Sequence, residues 1–214
     1  MKKDLTEVIF ILDKSGSMAG LEEDTIGGFN STLEKQKKLE GEVIVSTVLF
    51  NHDFKVIHNR VNIKNVAKLT TRDYQTNGMT ALLDAVGRAI TKIRRVYANT
   101  LREDRPSKVL FVITTDGMEN SSSEYTYSTI NKLIKEMKSK YDWEFLFLGA
   151  NIDAVNEARR LGISEERAVK FHSDKKGTHR NYNAINNAMN MYRSESTINR
   201  NWKKDVEEDY NNRQ

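Results

Sequence analysis

The sequence contains no cysteine, which excludes a disulfide framework, a thiolate zinc site and a cysteine nucleophile. It contains one proline, Pro106, in the polar stretch Arg102-Glu103-Asp104-Arg105-Pro106, which reads as a surface connection. No apolar run approaches the roughly 20 residues that a membrane-spanning helix requires. The start Met1-Lys2-Lys3 has the charge of a secretory leader, but Asp4 and Glu7 interrupt it and the apolar run that follows is too short. A cytoplasmic setting is therefore expected. Excess charge is also scarce: 34 Lys plus Arg against 30 Asp plus Glu leave a net +4, which permits an acidic partner without requiring nucleic acid. Neither a G-x-S-x-G elbow nor a Walker A loop occurs. Internal repeats, low-complexity tracts and interdomain linkers are absent too.

What is present is an alternation of apolar strands and amphipathic helices. Val8-Ile9-Phe10-Ile11-Leu12 is a short run of β-branched and aromatic residues, suited to a strand covered on both faces. It ends in Asp13-Lys14-Ser15-Gly16-Ser17-Met18, a polar turn before a helix of about 18 to 20 residues marked by Leu21, Ile26, Phe29 and Leu33. Residues 43–50 and 54–61 read as two strands joined at Asn51-His52-Asp53, the second an antiparallel edge. Leu82, Val86, Ile90 and Ile93 form a clean helical stripe, with Asp84, Arg88, Lys92 and Arg95 on the other side. Val109 to Thr115 is the strongest strand and ends in Asp116-Gly117. Helices around Ile130 to Met137, Ala154 to Leu161 and Tyr182 to Tyr192, and strands at Trp143 to Leu148 and Ala168 to Phe171, complete the pattern. The expected fold is one doubly wound α/β domain, with a mostly parallel sheet, one antiparallel edge strand and helices on both faces. The domain is assigned to residues 1–193, with a core at about 5–172 plus the final helix. Residues 194–214 form a polar tail in which Ile198, Trp202, Val206 and Tyr210 recur every four residues. That spacing suits a packed helix, and a frayed end is equally consistent with it.

Asp13, Ser15 and Ser17 lie at a strand-to-helix junction, where open α/β sheets bind ligands. Asp and Ser before a helix also act as N-caps, so this segment alone leaves both readings open. Thr80 precedes the second helix and Asp116 ends a second buried strand, so three junctions offer two carboxylates and three hydroxyls in all. Hard oxygen donors of this kind suit Mg²⁺, Mn²⁺ or Ca²⁺ better than zinc or copper.

These residues resemble the von Willebrand factor A domain family, whose metal-ion-dependent adhesion site has the pattern D-x-S-x-S, a distant Thr and a distant Asp. The resemblance covers roughly residues 5–172 and looks most like the stand-alone intracellular members of bacteria and phages. It implies a divalent cation, Mg²⁺ first, held at Asp13, Ser15, Ser17, Thr80 and Asp116. The serines would be direct ligands, Thr80 a ligand once a partner is bound, and the two aspartates charged anchors. It further implies a protein partner that completes the shell with an Asp or Glu carboxylate.

Other readings are weaker. A haloacid dehalogenase-type phosphatase needs a second Asp two residues after the first, where this chain has Ser15. His52, His58, His172 and His179 lie away from the three loops in sequence, and an enzyme is not expected. Two basic clusters, one of Arg88, Lys92, Arg94, Arg95, Arg102, Arg105 and Lys108 and one of Lys175, Lys176, His179 and Arg180, allow nucleic-acid association, but no series of aromatic residues interleaves with them to stack bases, so they read as solvated faces.

Overall fold

The computed structural model describes residues 1–213. Its strands are β1 (Lys2–Asp13), β2 (Glu42–Phe50), β3 (Phe54–Asn62), β4 (Pro106–Thr115), β5 (Glu144–Ala150) and β6 (Ala168–Phe171). They form one sheet in the order β3-β2-β1-β4-β5-β6. Every neighbouring pair is parallel except β2 and β3, so β3 is the antiparallel edge. The helices are α1 (Glu22–Lys37), α2 (Leu82–Ala98), α3 (Tyr127–Tyr141), α4 (Ala154–Leu161), α5 (Lys175–Glu195) and α6 (Lys204–Asn211). None is long and apolar enough to cross a membrane among the described residues.

The continuous apolar runs arise because both faces of the central strands are covered. Along β1, Val8, Phe10 and Leu12 enter the core shared with α1 and α5. The alternate residues Ile9 and Ile11 enter the core shared with α2, α3 and α4. A strand with a period of two thus has two buried faces and no polar one.

Several boundaries depart from the pattern in the sequence. β1 starts at Lys2 and not at Val8: Leu5, Thr6 and Glu7 pair with Glu42, Val43 and Ile44 of β2, and the Glu7 carboxylate, 1% exposed, is met inside the strand by a two-pronged bond from Arg60 at 2.7 and 3.2 Å. Pro106 is not surface connection: it is buried at the first position of β4, where a missing N–H breaks no ladder. Helix α5 begins seven residues before Tyr182 because Asp174 caps it, accepting the Gly177 N–H at 2.7 Å. Its first turns bury Gly177, Thr178 and Asn181, which carry no apolar signal.

Of the two readings open for the tail, the packed helix is the one adopted. Ile198, Trp202 and Val206 join the core beneath α1 and α5. The Trp202 indole donates to the Glu166 carbonyl at 2.9 Å, and the buried Lys203 ammonium donates to the Glu165 and Ala168 carbonyls at 2.9 and 2.8 Å. Tyr210 stacks on His172 with ring centroids 4.5 Å apart. Replacing Trp202 with Ala should lower the unfolding free energy by about 3–5 kcal/mol in urea titration. A loss below about 1 kcal/mol would show that the C-terminal segment stands outside the cooperative unit.

Candidate metal centre

From β1 the chain moves outward to β2 and β3, then returns to the other side of β1 as β4. The crevice between the C-terminal ends of β1 and β4 is therefore the topological switch point of the sheet. Leu12 pairs with Thr114, so Asp13 and Asp116 leave adjacent strands at nearly the same level. Both are almost fully buried, at 1% and 3% exposure.

The turn after β1 is built on Asp13, whose Oδ1 accepts the Ser15 N–H at 2.7 Å. Ser15 Oγ lies 3.1 Å from Ser17 Oγ, and Ser17 Oγ donates to Asp116 Oδ1 at 2.5 Å. Neither serine serves as a helix cap: Ser15 makes no side-chain cap bond, and the residue ahead of α1 is Leu21, which has none to make. The helix-cap alternative for this turn therefore fails on geometry.

Thr80 is brought in by a third loop. Its N–H donates to Asn120 Oδ1 at 2.9 Å, and its carbonyl accepts the Asn120 N–H at 3.0 Å. The same loop meets the β1 turn through Gly16 N–H to the Gly78 carbonyl and Asn77 N–H to the Lys14 carbonyl, both 3.0 Å. A Cβ on Gly117 would stand 2.9 Å from Thr80 Oγ1 and 3.2 Å from Ser17 Oγ. Glycine thus leaves open a small space edged by these two hydroxyls. All five residues picked out in the sequence meet here, although Asp13 and Asp116 are 103 positions apart.

Other contributors were not anticipated. Thr115 Oγ1 donates to Asp13 Oδ2 at 2.5 Å, the Tyr74 hydroxyl donates to the Asp13 carbonyl, and Ser173 Oγ donates to Asp116 Oδ2 at 3.4 Å. Asp84 is not on a solvated helix side: it is 7% exposed and accepts three backbone N–H bonds, from Ser123, Glu124 and Tyr125, all at 2.9 Å. Glu119 accepts the N–H groups of Leu83, Ser121 and Ser122 at 2.9, 2.9 and 2.7 Å. Together they pin the loop after β4 to the start of α2. Thr115, Glu119 and Asn120 had a signal in their closeness to Asp116, whereas Tyr74 and Ser173 had none. The histidines are not all remote either, because the His52 ring packs directly against Gly78.

Burial raises the Asp13 carboxyl from its usual 3.8 to about 6, against the bonds from Thr115 and Ser15 that favour its ionised form. Burial raises Asp116 as well, and the Ser17 and Ser173 hydroxyls hold it back. The donor set fits a hard divalent cation: two carboxylates that desolvation leaves short of positive charge, three hydroxyls, and a cradle kept open by glycine. Among the described residues no group of three His, Cys, Asp or Glu side chains is placed to hold a metal ion, so the donors at this centre beyond its two carboxylates are hydroxyl groups.

The family model of the von Willebrand factor type A domain matches residues 7–182. The chain belongs to the von Willebrand factor type A domain family. The matched residues include every strand end and loop of the centre. Solved structures similar to this A domain include proximal thread matrix protein 1 from the mussel byssus (13% identity, TM-score 0.58, covering 86% of this chain and 46% of that one). A von Willebrand factor type A protein from Catenulispora acidiphila (15%, 0.58, 86% and 42%) and a mutant PilB minor pilin from Streptococcus sanguinis (14%, 0.61, 90% and 63%) share the fold. One structure of the mussel protein carries a zinc-occupied MIDAS motif (14% identity, TM-score 0.59, covering 86% of this chain and 45% of that one). The A domain spans less than two thirds of each of these chains. No curated protein matches it in sequence.

Because the folded Asp13 pKa lies above its unfolded value, its contribution is fully present below about pH 4 and is lost as pH rises toward 6. In buffer containing a chelator, the domain should therefore lose stability over that window, on the order of 3 kcal/mol from this group. Chemical denaturation at pH 4, 5, 6 and 7 should show that slope weaken or vanish in Asp13→Asn. An unchanged slope in the variant would remove Asp13 as its source.

Proposed function

We propose that this A domain is a metal-dependent protein-interaction module. Asp13, Ser15, Ser17, Thr80 and Asp116 would hold a divalent cation, Mg²⁺ in preference to Mn²⁺ or Ca²⁺. The cation would supply an electrophilic position at which an Asp or Glu carboxylate of a partner protein binds. The observation that carries the reading is the Ser17 to Asp116 bond at 2.5 Å beside the Gly117 cradle, which gathers the donors of three loops around one opening. Zinc in the equivalent motif of the mussel protein supports it by analogy of fold.

Binding is favoured over catalysis by the way the carboxylates are used. Both Asp13 oxygens already accept hydrogen bonds, which suits a fixed anchor better than a nucleophile or general base. Protein is favoured over nucleic acid because much of the basic surface is spent internally. Arg88 pairs with Glu124 at 2.5 Å, Arg94 with Glu136 at 3.7 Å, Lys176 with Asp209 at 2.5 Å and Arg180 with Asp205 at 4.0 Å. A cytoplasmic setting, as in the stand-alone bacterial and phage members, accords with the cysteine-free composition.

Isothermal titration with Mg²⁺ or Mn²⁺ should detect binding in the native chain and none in Asp13→Ala or Asp116→Ala; undiminished binding in both variants would sink the assignment. Gly117→Ala should weaken cation binding at least tenfold while moving the melting temperature by only a few degrees, since its Cβ meets side-chain hydroxyls and no backbone. Pull-down of proteins in the presence of Mg²⁺, compared with EDTA, should yield a partner only with the cation.

A further inference from the structure

Tyr74 is 1% exposed and belongs to the core shared with α1 and α5. A phenylalanine would fill that place as well, so the hydroxyl calls for a reason of its own. It donates to the carbonyl of Asp13, the residue that ends β1 and opens the turn of the metal centre. The position of Tyr74 is fixed independently of this bond. Leu69 is clamped by Asn30 of α1, whose Oδ1 accepts the Leu69 N–H and whose Nδ2 donates to the Leu69 carbonyl, both at 2.9 Å. A tight turn follows, in which the Thr70 carbonyl accepts the N–H groups of Asp73 and Tyr74 at 3.0 and 3.1 Å and Asp73 Oδ2 accepts the Thr70 N–H at 3.0 Å. The phenol is thus presented from a braced turn.

From Tyr74 the chain runs beside the β1 turn and arrives at Thr80. Three links join the two segments in order: the Tyr74 hydroxyl to the Asp13 carbonyl, the Asn77 N–H to the Lys14 carbonyl and the Gly16 N–H to the Gly78 carbonyl, the last two at 3.0 Å. The second and third are made by backbone alone, whereas the first depends on a single side-chain oxygen. That first link is also the one that grips a residue with a carboxylate donor. It therefore sets, at the Asp13 end, how the Asp13 turn stands against the segment that carries Thr80. Mg²⁺ demands near-ideal octahedral geometry with oxygens at about 2.0–2.1 Å, while Ca²⁺ accepts longer and less regular coordination at about 2.3–2.6 Å. Rigid spacing between donor loops thus favours the smaller ion, and slack between them costs Mg²⁺ more than Ca²⁺.

We propose that Tyr74 is a positioning residue of the metal centre: by holding the Asp13 carbonyl it fixes the spacing of the Asp13 and Thr80 loops and makes the centre select Mg²⁺ over Ca²⁺. The inference rests on the cation-binding reading above and adds the residue that sets its selectivity. Partners outside the ligands that orient a ligating group are worth about 10- to 100-fold in metal affinity.

Tyr74→Phe removes the oxygen and keeps the ring. Thr76→Val is the matched control, because it removes a hydrogen bond of the same segment, from Thr76 to Glu22, that does not touch the Asp13 turn. The full chain is titrated by calorimetry with Mg²⁺ and, separately, with Ca²⁺. The native chain should bind Mg²⁺ more tightly. In Tyr74→Phe the Mg²⁺ affinity should fall about tenfold and the Ca²⁺ affinity by less than about threefold, whereas Thr76→Val should keep the native ratio. Equal losses for the two ions in Tyr74→Phe, no loss at all, the same change of ratio in Thr76→Val, or a native chain without preference would overturn the selectivity and leave the cation-binding reading standing. A Tyr74→Phe chain that fails to fold in Mg²⁺ would make the hydroxyl a requirement of the fold and overturn it equally. Absence of binding of either ion to the native chain would remove the cation-binding reading and this inference with it.

Discussion

The structure depends on the parallel pairing of β1 with β4 at the middle of the sheet. Leu12 opposite Thr114 fixes where Asp13 and Asp116 emerge, and the reversal of strand order at this point leaves a crevice. The pairing is secured by the two cores: alternate residues of each strand are buried on opposite faces, so a slip of one residue would exchange the faces. The position of the two acids is in this sense a consequence of hydrophobic register.

That position carries an electrostatic cost. Two carboxylates are held at 1% and 3% exposure, Asp13 is shifted to about 6, and no basic side chain bonds to either among the described residues. Hydroxyls and an N–H from Ser15, Ser17, Thr115 and Ser173 offset part of the desolvation, and a cation would offset more. Asp84, Glu119 and Asn120 do not reach the centre, yet between them they accept seven backbone N–H bonds that shape the loop after β4. The loops are thereby preorganised before anything binds.

Particular residues show what was legible in advance. The β1 and β4 runs were readable because continuous β-branched and aromatic residues ending in an acid belong to few structures, and the donors at Asp13, Ser15, Ser17, Thr80 and Asp116 followed from their junctions. Asp84 was misplaced because helical periodicity cannot tell a buried carboxylate filled with backbone N–H groups from a solvated one. Pro106 was misplaced because a proline in a polar stretch looks like a turn, whatever strand it opens. The start of α5 was hidden because its first turns bury glycine, threonine and asparagine.

By itself the sequence determined the alternation of strands and helices, the antiparallel edge and the candidate donors, since each is encoded by local periodicity and residue type. Only the tertiary structure decided that the serines face a carboxylate and do not cap a helix, and that the C-terminal segment packs through Trp202. It also decided that Ser173, Tyr74 and His52 lie beside loops far from them in the chain. The reason is that such contacts join residues tens of positions apart, and their geometry is set by the register of the sheet and the packing of its two faces.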